Sequence, residues 1–322
     1  MKVELLHKKD LQKYEFLSQR FGSLFNQSKW TNIYGDSIFI YGIYDAQQLL
    51  IGGFHLYDSK KYFIKHLNNP PYTPHIGLFF ENKLQNKANA QSFSKNIIQL
   101  VADFISTQSS SIVTIALPPN HNDLQPFIWK GFKVVPNYTY ELSLEGKSYE
   151  DIQKLYSTER RNEIKRAAKD QVETVLNYNN ELILSMVEKT FERKNKSLNK
   201  NVLTKILFEY ANQENSFSYI SYYKGKPSSV AFCIYHQNRA YYILGGYDQS
   251  NKHIGAGAAA VDACIKHSIN LSIKHFDFEG SMIQNVEKYF RGFGGDMLPF
   301  YTINKAPLLL EMCLKFIKRS TF

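Results

Sequence analysis

The stretch His275-Phe276-Asp277-Phe278-Glu279-Gly280-Ser281 is the densest group of chemically active side chains in the sequence. In an extended strand, alternation puts His275, Asp277 and Glu279 on one face and both phenylalanines on the other. Two carboxylates at a strand end can hold a nucleophilic amine. One of them can also take a proton as general base when burial raises its pKa. An ion-paired structural cluster with a nearby Lys or Arg has the same spelling. A second candidate is the Gly-rich run from Gly245 to Ala258. Its Gly255-Ala256-Gly257 turn stands where a strand passes into a helix, with Lys252 just before it. A helix N-terminus offers unpaired N–H groups, and small residues let a phosphate oxygen come close. The run is neither a Walker loop, since no Gly-Lys-Ser/Thr follows, nor a dinucleotide fingerprint. A tight turn packed with small residues fits it equally well. A third candidate is the basic stripe of Arg161, Lys165 and Lys169 at four-residue spacing, which Glu159 and Glu163 can partly neutralise into a solvated face.

The elements that must carry these groups are legible from periodicity. In the second half, strands are expected at Phe217–Lys224, Val230–His236 and Ala240–Tyr247. A helix at Gly257–Leu271, a strand at Ile273–Phe278, a helix near Val286–Phe293 and a strand at Phe300–Ile303 follow. The first half runs in parallel. It has a hairpin of Ile38–Tyr44 and Leu49–Leu56, a helix at Ala90–Thr107, a strand at Ile112–Leu117, a short helix at Leu124–Gly131 and a strand at Val134–Leu144. A faint repeat supports the correspondence. Trp129-Lys130-Gly131-Phe132 with Pro136-Asn137-Tyr138-Thr139 matches Phe290-Arg291-Gly292-Phe293 with Pro299-Phe300-Tyr301-Thr302, half a chain apart. Two α+β domains with mixed, mostly antiparallel sheets are expected, at 1–146 and 147–322. A connecting helix capped by Ser148 runs to about Lys169 between them.

Composition narrows the classes. The 322 residues are 43% hydrophobic and 21% charged, which suits packed domains and excludes a disordered or collagen-like chain. Aromatics are mainly 23 Phe and 22 Tyr, and tyrosine suits grooves with apolar walls and wet tips. The net charge is +10, most of it in the second half, which agrees with a phosphate-bearing ligand. An AT-rich coding bias toward lysine produces the same excess. No apolar run is long enough to span a bilayer, and the first residues lack a secretory h-region, so a cytoplasmic protein is expected. Cys233, Cys264 and Cys313 are isolated and fit neither a disulfide framework nor a zinc site.

Several pieces in fixed order resemble the acetyltransferase-like (GNAT) half of Fem-type proteins, the tandem-GNAT group that includes peptidoglycan aminoacyltransferases. They are Tyr241-Tyr242-Ile243-Leu244-Gly245-Gly246-Tyr247-Asp248, the Gly255-Ala256-Gly257 turn, Phe276-Asp277-Phe278-Glu279-Gly280-Ser281, and Tyr289-Phe290-Arg291-Gly292-Phe293-Gly294-Gly295. Pro70-Pro71-Tyr72 and the Lys130-Gly131-Phe132 to Tyr138-Thr139-Tyr140 stretch agree in the first half. Ser157 to Ala167 resembles the family's Arg-rich segment between the domains.

The resemblance covers nearly the whole chain and implies acyl transfer to an amine, from a coenzyme A thioester or an aminoacyl-tRNA ester. Catalysis in such a site is mostly positioning, proton removal and oxyanion stabilisation. It implies Glu279 and Asp277 as catalytic carboxylates and Lys252, Gly255, Ala256 and Gly257 around the donor. Arg161, Lys165, Tyr242, Ser281 and Arg291 fall beside an anionic acceptor between the domains. That acceptor is a small metabolite or a cell-envelope precursor. No metal and no DNA are implied. Two positions depart from the pattern. Lys252 stands where simple acetyltransferases have Arg or Gln, and it meets phosphate as a point charge rather than a fork. Phe290-Arg291 replaces the Phe-Lys pair of tRNA-dependent members. A binding protein that keeps the fold without the chemistry is the competing class. Finally, Pro307–Phe322 reads as a helix whose Leu308, Leu309, Met312, Cys313, Phe316 and Ile317 pack on the body, peripheral membrane docking being the other reading.

Overall fold

In the computed structural model, residues 1–61, 64–108, 112–193, 198–280 and 282–317 are described. The chain begins with β1 (Lys2–Leu5), α1 (Leu11–Phe21), α2 (Ser28–Thr31), β2 (Ile38–Tyr44), β3 (Leu50–Lys61), β4 (Ile64–Asn68) and β5 (Phe79–Phe80). Next come α3 (Lys87–Ser106), β6 (Ile112–Ala116), α4 (Gln125–Trp129), β7 (Lys133–Ser143), α5 (Tyr149–Leu155), α6 (Thr158–Lys169) and β8 (Glu173–Leu176). Then follow α7 (Asn180–Arg193), α8 (Lys200–Lys205), β9 (Ser216–Tyr223), β10 (Lys226–His236) and β11 (Arg239–Tyr247). The last elements are α9 (Ala256–Asn270), β12 (His275–Asp277), α10 (Gln284–Arg291), β13 (Asp296–Lys305) and α11 (Leu308–Ile317). Most expected elements are present with ends shifted by a few residues. β1, α1, α2, β4, β5, β8, α7 and α8 are not among the expected elements.

The chain forms two compact units, Met1–Asn137 with Pro299–Phe322, and Tyr138–Leu298. This division does not fall at 146/147, and the C-terminal stretch goes with the first unit. The strand pairing gives the reason. In the first unit β1, β2, β3 and β4 form an antiparallel run, and α3 crosses over to lay β6 parallel to β4. The strand antiparallel to β6 is the end of β13, Thr302–Lys305. In the second unit β8, β9, β10 and β11 are the antiparallel run, and α9 crosses over to lay β12 parallel to β11. The strand antiparallel to β12 is the end of β7, Glu141–Ser143. Strand order therefore repeats, while the last strand of each unit comes from the other half of the sequence.

Each unit has its own core. In the first, Ile97, Ile98, Val101 and Ile105 of α3 pack with Phe54, Phe127, Phe132 and Ile303. In the second, Val261, Cys264 and Ile265 of α9 pack with Phe276, Phe278, Phe290 and Phe293. Burying each of these phenylalanines contributes about 1.5–3 kcal/mol. Cys233 and Cys264, far apart in sequence, meet in this second core, where burial and their mutual contact push the Cys233 thiol up.

Two expectations need correction. The single helix from Ser148 to Lys169 is two helices. Tyr156 is extended (φ −64°, ψ 141°), and Ser157 accepts from Arg160 N–H as a new N-cap. The break sends the Tyr156 ring edge-on to Phe293, at 5.3 Å between centroids, and its hydroxyl to buried Asp262 at 2.9 Å. The second correction concerns α11, which forms but leaves its apolar side uncovered. Leu308 is 74%, Leu309 80%, Met312 51% and Phe316 90% exposed. Ile317 is helical with its side chain outside the description, and residues 318–322 lie outside the described residues altogether. Among the described residues no helix is long and apolar enough to cross a membrane.

Candidate active site

Strands β11 and β12 pair only through Arg239–Tyr241 and His275–Asp277, although β11 runs on to Tyr247 beside β10. Beyond Tyr241 and Asp277 the two strands have no ladder, so they part; α7 takes the far end of the β11 edge, where the Tyr247 N–H donates to Thr190 Oγ1 at 2.9 Å. The backbone after β12 explains the parting. Phe278 turns into the core, and Glu279 and Gly280 are both left-handed, at φ 57° and 55°. A Cβ on Gly280 would collide with the Tyr138 carbonyl and stand 2.8 Å from Thr139 Cα, so only glycine fits. The left-handed Glu279 is strained backbone held by its surroundings.

Around β12 lies a charged cluster with an uneven division of partners. Arg239 pairs with Glu141, and the same nitrogen stands 3.6 Å from Asp277 Oδ2. His275 Nδ1 is 2.8 Å from Glu141 Oε1. Asp277 Oδ1 accepts from the Thr139 hydroxyl at 2.7 Å and from the Glu279 N–H at 2.9 Å. Burial raises the Asp277 pKa, and these donors with Arg239 oppose the rise. Glu279 is raised well above the usual carboxylate range, first by burial and then by the Asp277 charge, with Arg239 opposing. Its carboxylate makes no ion pair among the described residues. Both acids are thus pushed up, and Glu279 lacks the hydrogen-bond donors that hold Asp277 down. The ion-pair reading therefore describes Glu141, Arg239 and Asp277, and Glu279 stands outside it.

Two half-buried phenols, Tyr242 and Tyr289, pack on the same core as β11 and β12. Tyr242 packs edge-on to Phe290, at 5.8 Å between centroids, and its hydroxyl lies against Gly245, where a Cβ would collide with it. The Tyr289 hydroxyl stands 3.4 Å from the position a Cβ on Gly257 would take, with Ser229 Oγ at 3.5 Å. Burial holds both phenols protonated. The Arg160 guanidinium lies 4.4 Å from the Tyr289 ring centroid, is 4% exposed and pairs with Glu163 at 2.6 Å.

The other expected site residues are placed unevenly. Gly255 and Ala256 are buried, and a Cβ on Gly255 would collide with the Glu163 carbonyl and stand 3.0 Å from Ala167 Cβ. The smallness of that turn thus serves the packing of α6 on α9. Gly257 is half-buried with room for a Cβ. Lys252 is exposed, its Nζ 6.0 Å from the Tyr247 ring, which Arg193 approaches to 3.8 Å. Arg161 donates to the Tyr156 carbonyl at 2.6 Å, closing the end of α5, and Lys165 is exposed. Arg291 is exposed and bonds Glu287 at 2.8 Å, which also accepts from the Tyr140 hydroxyl at 2.6 Å. Ser281 lies outside the described residues.

Sequence reasoning missed Arg239, Glu141, Thr139, Tyr289 and Arg160 as members of this site. Tyr289 stood in a quoted motif and the Arg-rich segment contains Arg160. Nothing in spacing pairs Arg239 with Glu141. A cavity of about 170 Å³ lined by Asn177, Asn180, Asn212, Ser216, Ser218 and Phe232 contains none of these groups.

Residues 159–291 match the acetyltransferase (GNAT) domain family. No curated protein matches the chain. Among solved structures, FemX is similar with a TM-score of 0.63 and 10% identity, over 94% of this chain and 97% of that one. L-PGS from Bacillus licheniformis gives 0.55 and 10% over 99% and 98%. A GNAT-family acetyltransferase from Colwellia psychrerythraea gives 0.54 and 14% over 95% and 100%. Over residues 159–291, the class these findings define is the GNAT acetyltransferase domain. Within that class, the chain takes the tandem, Fem-like fold over almost its whole length.

Proposed function

We propose that this protein transfers an acyl group from a coenzyme A thioester to the amine of a small metabolite or cell-envelope precursor bearing negative charge. The observation that carries the reading is Glu279, a half-buried carboxyl of raised pKa that makes no ion pair among the described residues, just past the point where β11 and β12 part. Free alkylamines arrive protonated, with pKa near 10.4 in the lysine case. Glu279 in its ionised form takes that proton, and its raised pKa brings it nearer the operating pH. Backbone N–H groups along the open β11 edge suit the oxyanion that forms as nitrogen bonds to the acyl carbon. As the carbon–sulfur bond breaks, the Tyr289 or Tyr242 hydroxyl gives the departing thiolate a proton. The nitrogen's second proton leaves to solvent, and solvent reprotonates the phenolate and takes up the proton held by Glu279. Lys252 and Arg193, gathered at Tyr247, suit the donor's phosphates.

One observation favours a second reading, in which the donor is an aminoacyl-tRNA ester. Gly255 and Ala256 are closed off against α6, which leaves less backbone for a pyrophosphate than simple acetyltransferases offer. Thermal shift with acetyl-CoA, longer acyl-CoAs and aminoacyl-tRNA separates the readings, followed by mass spectrometry of amine acceptors. Stabilisation by acyl-CoA with release of free thiol supports the first. Stabilisation by the tRNA ester alone supports the second. A folded chain that responds to neither, and acylates nothing, sinks both.

A further inference from the structure

We infer that α11 is a membrane-surface anchor, its outer face seated in the interface of an anionic lipid leaflet. The observation is the uncovered face itself. Leu308, Leu309, Met312, Cys313 and Phe316 recur at helical spacing and all are exposed, Phe316 to 90%. Leu310 and Leu314 are half-buried, so the helix has a turned-in side and a separate outward side. From Leu308 to Phe316 the outward side is apolar with exposed Lys315 at its edge, over about 13 Å of helix. Exposed patches of this kind mark an interaction surface rather than ordinary scattered hydrophobics.

Charge decides what covers it. Glu311 is the one acid from Leu308 onward, and it is tied to exposed Lys315 at 3.1 Å. Lys318 and Arg319 follow in sequence, and the chain as a whole carries +10. An anionic leaflet takes up the apolar strip and also attracts the positively charged chain. A second copy of this chain would bring the same apolar face and the same +10 against itself, and that repulsion disfavours self-association. The outward residues make no contribution to either core, so they can be changed without disturbing it.

The test is co-sedimentation of the full chain with vesicles of equal parts phosphatidylglycerol and phosphatidylcholine, and with pure phosphatidylcholine. Binding is expected to the anionic vesicles, weakened by high salt. The Leu309→Ser/Phe316→Ser variant should lose about ten-fold or more of that binding, since two large side chains no longer enter the interface. Lys315→Glu should weaken binding at low salt only. Unchanged melting temperatures show that both variants remain folded. Failure of the native chain to bind anionic vesicles overturns the inference, as does equal binding by the double variant. A dimer in ultracentrifugation that the double variant disperses overturns it too, by assigning the face to a second copy.

Discussion

At Glu279 the backbone and the electrostatics point in one direction. A left-handed residue beside a glycine that tolerates no side chain places a carboxyl where the Asp277 charge and burial both raise its pKa. Replacing Glu279 by Gln should lower kcat by about 10²–10⁴ while donor and acceptor binding stay nearly constant, read from steady-state kinetics and ligand titration. The pH dependence follows from the raised pKa. The base must be ionised, so kcat/KM should climb with pH above the usual carboxylate range. Stability moves the other way. A carboxyl whose folded pKa lies above its unfolded value favours the fold while protonated, and that contribution is lost as pH rises from the unfolded value of 4.5 through the folded one. Urea midpoints of Glu279→Gln should therefore exceed those of the native chain at neutral pH and converge with them in acid. Arg239→Met removes the cation that opposes both carboxyl shifts, so its acid limb should move to higher pH.

Among the elements, α6 and α9 show how one glycine pattern can serve two ends. Gly255 lies under the α6 backbone, so Gly255→Val should cost about 1–3 kcal/mol by overpacking, whatever the donor is. Gly257 has ordinary space around it, and Gly257→Val is the cleaner probe. If the donor's phosphates approach the start of α9, that variant weakens donor binding in calorimetry with little change in melting temperature. The repeated glycines also differ. Gly131 is left-handed at φ 73°, whereas Gly292 has ordinary φ and leaves room for Arg160, whose Cγ would stand 2.8 Å from a Cβ there. The sequence repeat marks equivalent places after α4 and α10, and each place uses its glycine for a different purpose.

For the molecule as a whole, the exchanged last strands set what can be removed. Truncation after Ala306 spares β13 and Ile303, so folding and activity on soluble acceptors should persist. Truncation after Leu298 takes away the neighbour of β6 and the Ile303 side chain from the first core. That shorter chain should melt lower or aggregate, and light scattering with circular dichroism checks it.

Sequence alone determined the parts whose physics is local. Alternation placed Phe276 and Phe278 inward and Asp277 outward from them. Helical spacing put Val261, Cys264 and Ile265 on the buried side of α9, and the repeat implied two similar units. Glu279 was legible as a carboxyl beside a glycine. Partners distant in sequence were not, because register and crossover are set by packing between segments. Only the tertiary structure joined β7 to β12, and so brought Glu141 and Thr139 to Arg239 and Asp277. It also spent the Gly255 turn on α6, turned Arg161 to a helix end and put Arg160 over Tyr289. In α11 the apolar stripe was plain in the sequence, but a stripe says only that a face favours cover. Whether the rest of the chain supplies that cover is decided by where the preceding strand ends, and after Lys305 the helix leaves its face outward.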